Sequence, residues 1–407
     1  MRSVMTIEAT HPVRLGFMPE SQAVADPERP GLRRAGPRAA APYGDDRVEF
    51  HTVPAVDLLH QDPGDLQLHG AGSDEHGAGF DTVDLTGLDA LQSVCARVLD
   101  AGWIADEDGA RVRAALDGAV LPSAHGPDLQ VVHIAEEGLI MRTVGPNGLS
   151  LVGPRSVGMN GHGQAVSIHV DQDVFGTPLV QIMDGRAPSL FVHDSPDGSC
   201  TDASMLLVNL WIPLRQIVQP LVLADGRSID RRADQLRYGL PTGSFLDRGE
   251  DQEINDIYSL LHDDGQRWYF RSEMDHRSAW IFNTLSTPHG AGVLPGEDVA
   301  ERYYLQLEAA EAAVAAGDAA ALEVALSSGP VESARESSGP VESARESSTP
   351  VLRDALESMA SLLDEARADP GRIAGPAGPG WSRAAGSARQ RVVRTSLEMR
   401  LVVTVAP

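Results

Sequence analysis

The spacing of apolar positions changes along the chain, and with it the element each stretch predicts. Thr86 to Ala101 puts Leu88, Leu91, Val94 and Val98 on one face of a helix, with Thr86 placed to cap it. Asp106 to Leu116 reads as a second helix. From Ala165 to Asn283 the texture is different: short apolar or alternating runs are separated by turn clusters. The runs are Ala165–Val170, Met205–Ile212, Gln219–Ala224, Trp268–Ser272 and Ala279–Asn283. Val48–Val53, Val131–Ile134 and Leu139–Arg142 are of the same kind. Short strands of this number predict a sandwich or jelly roll. Trp211, Trp268 and Trp280 lie on them and are expected in the core. Helical spacing returns from Val299 to Leu326, broken near Gly317. Pro350 opens another helix at a favoured first position. Its stripe of Leu352, Leu356, Met359, Leu363 and Ala366 has to be buried against the β-core, a neighbouring helix or a second protomer.

The stretches between have their own character. The decapeptide from Ser328 to Ser337 recurs identically from Ser338 to Ser347. Two copies make no solenoid, so it reads as a duplicated polar linker. Gly371 to Gly386 is rich in Gly, Pro and Ala and reads as a second linker. Met1 to Asp46 has little periodicity and is expected to be mobile. Val392 to Val405 closes the chain as a β-like run.

Composition narrows the partners. A chain of 407 residues, 42% hydrophobic and 22% charged, suits a folded soluble protein with a large core. A formal net charge of −25 argues against a nucleic-acid polymer or an anionic membrane as main partner. No apolar run of the ~18 residues needed to span a bilayer is present. The first residues lack the apolar stretch of a secretory signal. Cys95 and Cys200 form neither a disulfide framework nor a thiolate zinc site. All 33 basic residues are arginine, which with the abundant Ala and Gly reads as the bias of a GC-rich coding sequence. The expected address is the cytoplasm, and the expected partner is a small-molecule substrate, with a homodimer allowed.

The candidate chemistry centres on His169-Val170-Asp171. Residues two apart on a strand share a face, so the imidazole and the carboxylate aim at one point. A second imidazole from another strand would complete the facial triad that non-haem iron(II) oxygenases use. The candidate is His289, in Thr287-Pro288-His289-Gly290. His169, Asp171 and His289 are thus the expected metal ligands and catalytic centre. Asp173 shares their face if the strand runs on and competes with Asp171. His276 is next in line after His289, and His262, which also flanks a strand, is a lesser candidate, while His193 and the loop histidines His60, His69 and His76 read as solvated. On the closing run Arg394, Ser396, Glu398 and Arg400 point one way and Leu397, Met399 and Leu401 the other. A guanidinium with a hydroxyl two residues on is suited to holding a carboxylate. Arg142, Asn160 and His162, before the ligand strand, are candidate substrate contacts. The glycine-dense loop from Gly145 to Gly163 lacks a phosphate-loop pattern.

Several blocks resemble the gibberellin-desaturase-like (AsaB-type) hydroxylases and desaturases of the Fe(II)/2-oxoglutarate superfamily. They are Val208-Asn209-Leu210-Trp211-Ile212-Pro213-Leu214, Pro220 to Ser228, Gln266-Arg267-Trp268-Tyr269-Phe270, Pro288-His289 and the closing Arg394 to Arg400. The resemblance implies a double-stranded β-helix, or jelly roll, mainly β with flanking helices. It implies Fe(II) on His169, Asp171 and His289, with 2-oxoglutarate and O2 as cosubstrates and Arg394, Ser396 and Arg400 on the 2-oxoglutarate side. The reaction it implies is hydroxylation or desaturation of a small molecule in specialised metabolism. Asp171 disfavours native halogenation, which in such enzymes goes with Gly or Ala at that position. A cupin-like jelly roll that binds a ligand without redox turnover is the alternative. In the family the closing strand follows soon after the distal histidine, whereas here about a hundred residues intervene. The implied organisation is a segment 1–46, an oxygenase domain of 47–298 plus 392–407, and a helical insertion at 299–391. Arg302, nearer to His289, is the competitor of Arg394.

Overall fold

The computed structural model describes residues 10–36, 48–61, 63–68, 77–135, 138–151, 158–160, 162–171, 206–241, 254–327 and 348–406. The first half holds strands β1 (Thr10–Phe17), β2 (Ala23–Ala25), β3 (Arg33–Ala35), β4 (Glu49–Asp57) and β5 (Phe80–Asp84), then helices α1 (Asp89–Ala101) and α2 (Asp106–Leu116). Next come β6 (Val120–Leu121), β7 (Leu129–Ile134), β8 (Ile140–Val144), β9 (His169–Val170), β10 (Leu206–Arg215) and β11 (Leu221–Ala224). A single helical turn, α3 (Arg231–Asp234), leads to β12 (Gln235–Pro241), β13 (Ile254–Leu260), β14 (Trp268–Phe270), β15 (Ser278–Asn283) and β16 (His289–Ala291). The last part is α4 (Glu297–Ala316), α5 (Ala319–Ser327), α6 (Pro350–Ala368), α7 (Pro370–Ala374), α8 (Gly378–Arg391) and β17 (Arg394–Val405).

Two sheets carry the fold. The first has ten strands in the order β1-β4-β14-β11-β16-β9-β13-β12-β3-β2. The second runs β5-β15-β10-β17-β7-β6, with β8 also paired to β17. Most pairings are antiparallel, and the architecture is consistent with a jelly-roll-like fold. Alternation along the strands assigns the faces. Val208, Leu210, Ile212 and Leu214 of β10, and Leu397, Met399, Leu401 and Val403 of β17, share an apolar cluster with α1 and α2. Their neighbours turn inward: Trp211, Phe80, Trp280 and Phe282 meet Val56, Leu223 and Tyr269 of the first sheet. A third cluster joins outward residues of the first sheet, such as Leu15, Ile168, Val222 and Phe270, to α4, α5, α6 and α8. The three tryptophans are buried, as their place on strands predicts.

Three expectations need correction. The segment 1–46 is not a mobile lead throughout. Thr10–Phe17 pairs with β4 along its whole length, and Val13, Leu15 and Phe17 are buried. That strand has a period-two pattern which the surrounding Pro, Ala and Arg obscure. Farther along, Asp26 takes two hydrogen bonds from buried Arg237, at 2.6 and 2.7 Å, and ties the segment to β12. Gly371 to Gly386 is not a linker but lies in α7 and α8. Proline at a helix start costs nothing, Asp369 caps α7 by accepting from the Arg372 N–H, and Trp381, Ala385 and Ala388 are buried on one face of α8. Finally, Thr86 does not cap α1; Leu88 is the cap residue, and no side chain bonds there.

The stripe on α6 is fully buried from Leu352 to Ala366, among the helices and the first sheet. The duplicated decapeptide lies outside the described residues. No helix of the described residues is long and apolar enough to cross a membrane.

Candidate metal centre

The site begins with the register of two short strands. β9 and β16 pair antiparallel with His169 opposite His289. Opposed residues on adjacent strands project to the same side, and the two imidazole centroids lie 4.6 Å apart. Asp171, just past β9, turns its Oδ1 toward both rings, 3.2 Å from Nε2 of His169 and 3.7 Å from Nε2 of His289. One ligand atom from each of the three residues lies within 4.8 Å of the others. Among the described residues this is the one such group of His, Cys, Asp and Glu.

The surroundings fix which atoms face the centre. Nδ1 of His169 lies 2.8 Å from the Ser167 carbonyl and Nδ1 of His289 lies 3.0 Å from the Thr287 carbonyl. A carbonyl only accepts, so each Nδ1 carries the proton and each Nε2 offers its lone pair. Burial pushes the His289 imidazole down to about 4, so it is neutral at neutral pH despite the opposing pull of Asp171. Burial alone would raise the Asp171 carboxyl, but His289, His169 and Arg400 hold it well below the usual carboxylate range. Asn209 of β10 donates its amide to Asp171 Oδ2, leaving Oδ1 for the centre. The arrangement is two imidazole Nε2 atoms and one oriented carboxylate turned toward a common point, which suits a divalent cation.

The inward face of β17 supplies charge beside this centre. The β10–β17 register sets Asn209 opposite Arg400, Trp211 opposite Glu398 and Pro213 opposite Ser396. Arg394 is buried and donates from Nη1 to the Gln219 carbonyl at 2.7 Å. Its guanidinium carbon lies 5.9 Å from the Trp211 ring centroid. Among the described residues, its Nε is buried without a hydrogen-bond partner, and so is the hydroxyl of Ser396. Burial lowers the Arg394 guanidinium to about 10, which leaves it charged at neutral pH. A buried cation with spare donors beside an unsatisfied hydroxyl is a place for an anion.

The other candidates are placed as follows. Arg142 reaches Glu398 at 2.7 Å and the Gly163 carbonyl at 2.7 Å, on the inward side of β8. His162 forms a bridge with Arg142. Asn160 spends its side chain on Ile104, accepting from its N–H and donating to its carbonyl, so it clamps a loop instead of facing the centre. Arg302 pairs with Asp298 one turn back on α4. His262 stacks on His51, and His276 is outside the triad. Asp173, His69, His76 and His193 lie outside the described residues. Asn209 was not singled out from sequence as a site residue, whereas Glu398 was placed on one face of the closing run with Arg394, Ser396 and Arg400.

Residues 162–295 match the family model described as an oxidoreductase/YMDC permease-like domain. That span contains all three residues of the triad. No curated protein matches the chain in sequence. Among solved structures, the chain is similar to the iron and alpha-ketoglutarate-dependent endoperoxidase NvfI, at 13% identity and a TM-score of 0.44, over 98% of this chain and 99% of that one. A second conformation of the same protein gives 12% identity and 0.44, over 99% and 100%. A tryptophan-to-phenylalanine variant gives 15% and 0.41, over 71% of this chain and 92% of that one.

Proposed function

We propose that the protein is a non-haem Fe(II)/2-oxoglutarate-dependent oxygenase that hydroxylates or desaturates a small molecule of specialised metabolism. The observation that carries this is the convergence of two Nε2 atoms and one Asp171 oxygen. The oxidoreductase description of the matched family model is in keeping with it. Bound to His169, Asp171 and His289, iron(II) with 2-oxoglutarate and O2 supplies the oxidising power to break an unactivated C–H bond.

The chain's own residues have separate tasks. The Ser167 and Thr287 carbonyls hold the imidazoles in the metal-binding tautomer. Asn209 orients the carboxylate. Arg394 and Ser396 receive the distal carboxylate of 2-oxoglutarate, one with unused guanidinium donors and the other with an unsatisfied hydroxyl. Arg400 adds positive charge next to Asp171. Phe282, whose ring centroid lies 4.5 Å from that of His289, and Trp211 make the inner wall apolar, which keeps water from the reacting carbon. Arg142 with His162 forms the polar side on which substrate is received. The helical stretch 299–391 is read as an insertion into the oxygenase domain, the cytoplasm as its address, and a homodimer as an allowed form.

The test is anaerobic addition of Fe(II) and 2-oxoglutarate. A weak visible charge-transfer band, with conversion of 2-oxoglutarate to succinate on admitting air, is the expected outcome. Metal binding with no effect of 2-oxoglutarate on the spectrum would instead support a cupin-like binding protein.

A further inference from the structure

We propose that Glu297 is a positioning residue for the cosubstrate: through Gln219 it fixes the acceptor that aims Arg394. The inference rests on the reading of Arg394 as the carboxylate anchor.

Glu297 lies in the first turn of α4 and is wholly buried. Its carboxylate accepts four hydrogen bonds. Oε1 takes the Gln219 N–H at 2.8 Å and the Leu294 N–H at 2.9 Å. Oε2 takes the Gln219 side-chain amide at 2.7 Å and the Asn147 N–H at 2.8 Å. Gln219 is therefore gripped twice, once by its backbone and once by its side chain. It needs the grip, because its φ of 48° is in the left-handed region that non-glycine residues rarely adopt. Asn147, at φ 54°, is held by its N–H on Glu297 and by its side-chain amide on Glu301. The Gln219 carbonyl is the acceptor for Arg394 Nη1 at 2.7 Å, the one hydrogen bond of that guanidinium among the described residues.

With one hydrogen bond holding the buried Arg394 guanidinium, the direction of that bond helps set where the remaining donors aim. That direction is the plane of the 219–220 peptide, and Glu297 fixes the residue that defines it. Burying a carboxylate is costly unless donors surround it, and here four do. The relay also joins the first turn of α4 to the inward face of β17.

The experiment compares two keto acids on the Fe(II) protein without oxygen. 2-Oxoglutarate carries the distal carboxylate, and 2-oxobutyrate chelates alike but lacks it. Affinities are read from the visible band in wild type, Glu297→Ala, Glu297→Gln and Gln219→Ala, with iron content and Tm measured beside them. Glu297→Ala is expected to weaken 2-oxoglutarate at least about tenfold, on the scale of a small misplacement of a binding group. It should leave 2-oxobutyrate and iron content unchanged. Glu297→Gln should restore part of the affinity. Its oxygen still accepts from the two N–H groups at Oε1, and its amide donates to Gln219 Oε1 once the Gln219 amide turns over, while the Asn147 N–H at the old Oε2 position loses its acceptor. Gln219→Ala, which keeps the buried acid, should shift 2-oxoglutarate in the same direction by less, and serves if Glu297→Ala does not fold. Equal weakening of both keto acids, or no change in either alanine variant, would overturn the proposal. So would a Glu297→Gln variant as weak as Glu297→Ala. If wild type binds 2-oxoglutarate no more tightly than 2-oxobutyrate, the Arg394 anchor itself is wrong and the relay falls with it.

Discussion

Each residue of the centre works through a neighbour that fixes its chemistry. His169 and His289 present Nε2 because a carbonyl holds each Nδ1, and Asp171 presents Oδ1 because Asn209 holds Oδ2. His169→Ala and His289→Ala are each expected to abolish iron-dependent 2-oxoglutarate consumption, since no further described ligand is in place. Retained turnover in His289→Ala would move the third ligand elsewhere. Asn209→Ala tests the orienting contact. Loss of an outer-shell partner typically costs about 10–100-fold in metal affinity, so an Fe(II) titration should show a weaker site with the fold unchanged. His169-x-Asp171 was legible because two-residue spacing on a strand is a local rule. Asn209 was harder to see: its partner is 38 residues earlier in the chain, and only sheet packing brings the two together.

At the level of elements, burial overrode local composition twice. The Gly- and Pro-bearing stretch around Pro379 is helical because Trp381, Ala385 and Ala388 pack into the helical cluster. Thr10–Phe17 is a strand because Val13, Leu15 and Phe17 find β4. The contact between Asp26 and Arg237 anchors that start, and both side chains are almost wholly buried. Burial acts to raise the Asp26 carboxyl, but the Arg237 hydrogen bonds and charge hold it below its usual value of 3.8. A carboxylate depressed in the folded state contributes stability above its unfolded value. The contribution is lost as pH falls below about 3.8 toward the folded value. Asp26→Asn is expected to cost about 3 kcal/mol at neutral pH, because it leaves a buried guanidinium short of its partner. Acid unfolding of the variant should lose part of its pH dependence in that range; an unchanged profile would show that the pair is not what tethers the segment. On α6, Leu356→Ala removes a fully buried side chain and is expected to cost about 2–5 kcal/mol by thermal or urea denaturation. Deleting one decapeptide copy, Ser338 to Ser347, should change Tm and activity little.

Across the whole molecule, the fold joins parts that are far apart in sequence. β16 carries His289 and β17 carries Arg394, and the stretch between them contains the helices α4 to α8. If Arg394 holds the distal carboxylate, Arg394→Ala should lose the roughly 2–5 kcal/mol typical of truncating a buried charge pair. That raises the 2-oxoglutarate requirement at least tens of fold and leaves iron content intact. Arg302→Ala should leave it unchanged, since Arg302 is engaged with Asp298. The reverse result would place the anchor just after His289.

The sequence alone determined what depends on short spacing. The 3.6-residue stripes gave α1, α2, α4 and α6, with α5 after the break at Gly317. Alternation gave the central strands and both faces of β17, and one tripeptide gave two of the three candidate metal ligands. It also determined the kinds of group available, because imidazole, carboxylate and guanidinium carry their chemistry wherever they are placed. Tertiary structure decided which groups meet. The opposed register of His169 and His289, the Asn209 contact, the turn of Arg142 to Glu398 and the burial of Glu297 beneath Gln219 all join residues distant in sequence. No local period encodes such pairings, because their partners are selected by which strands pair and by how the sheets and helices pack on one another.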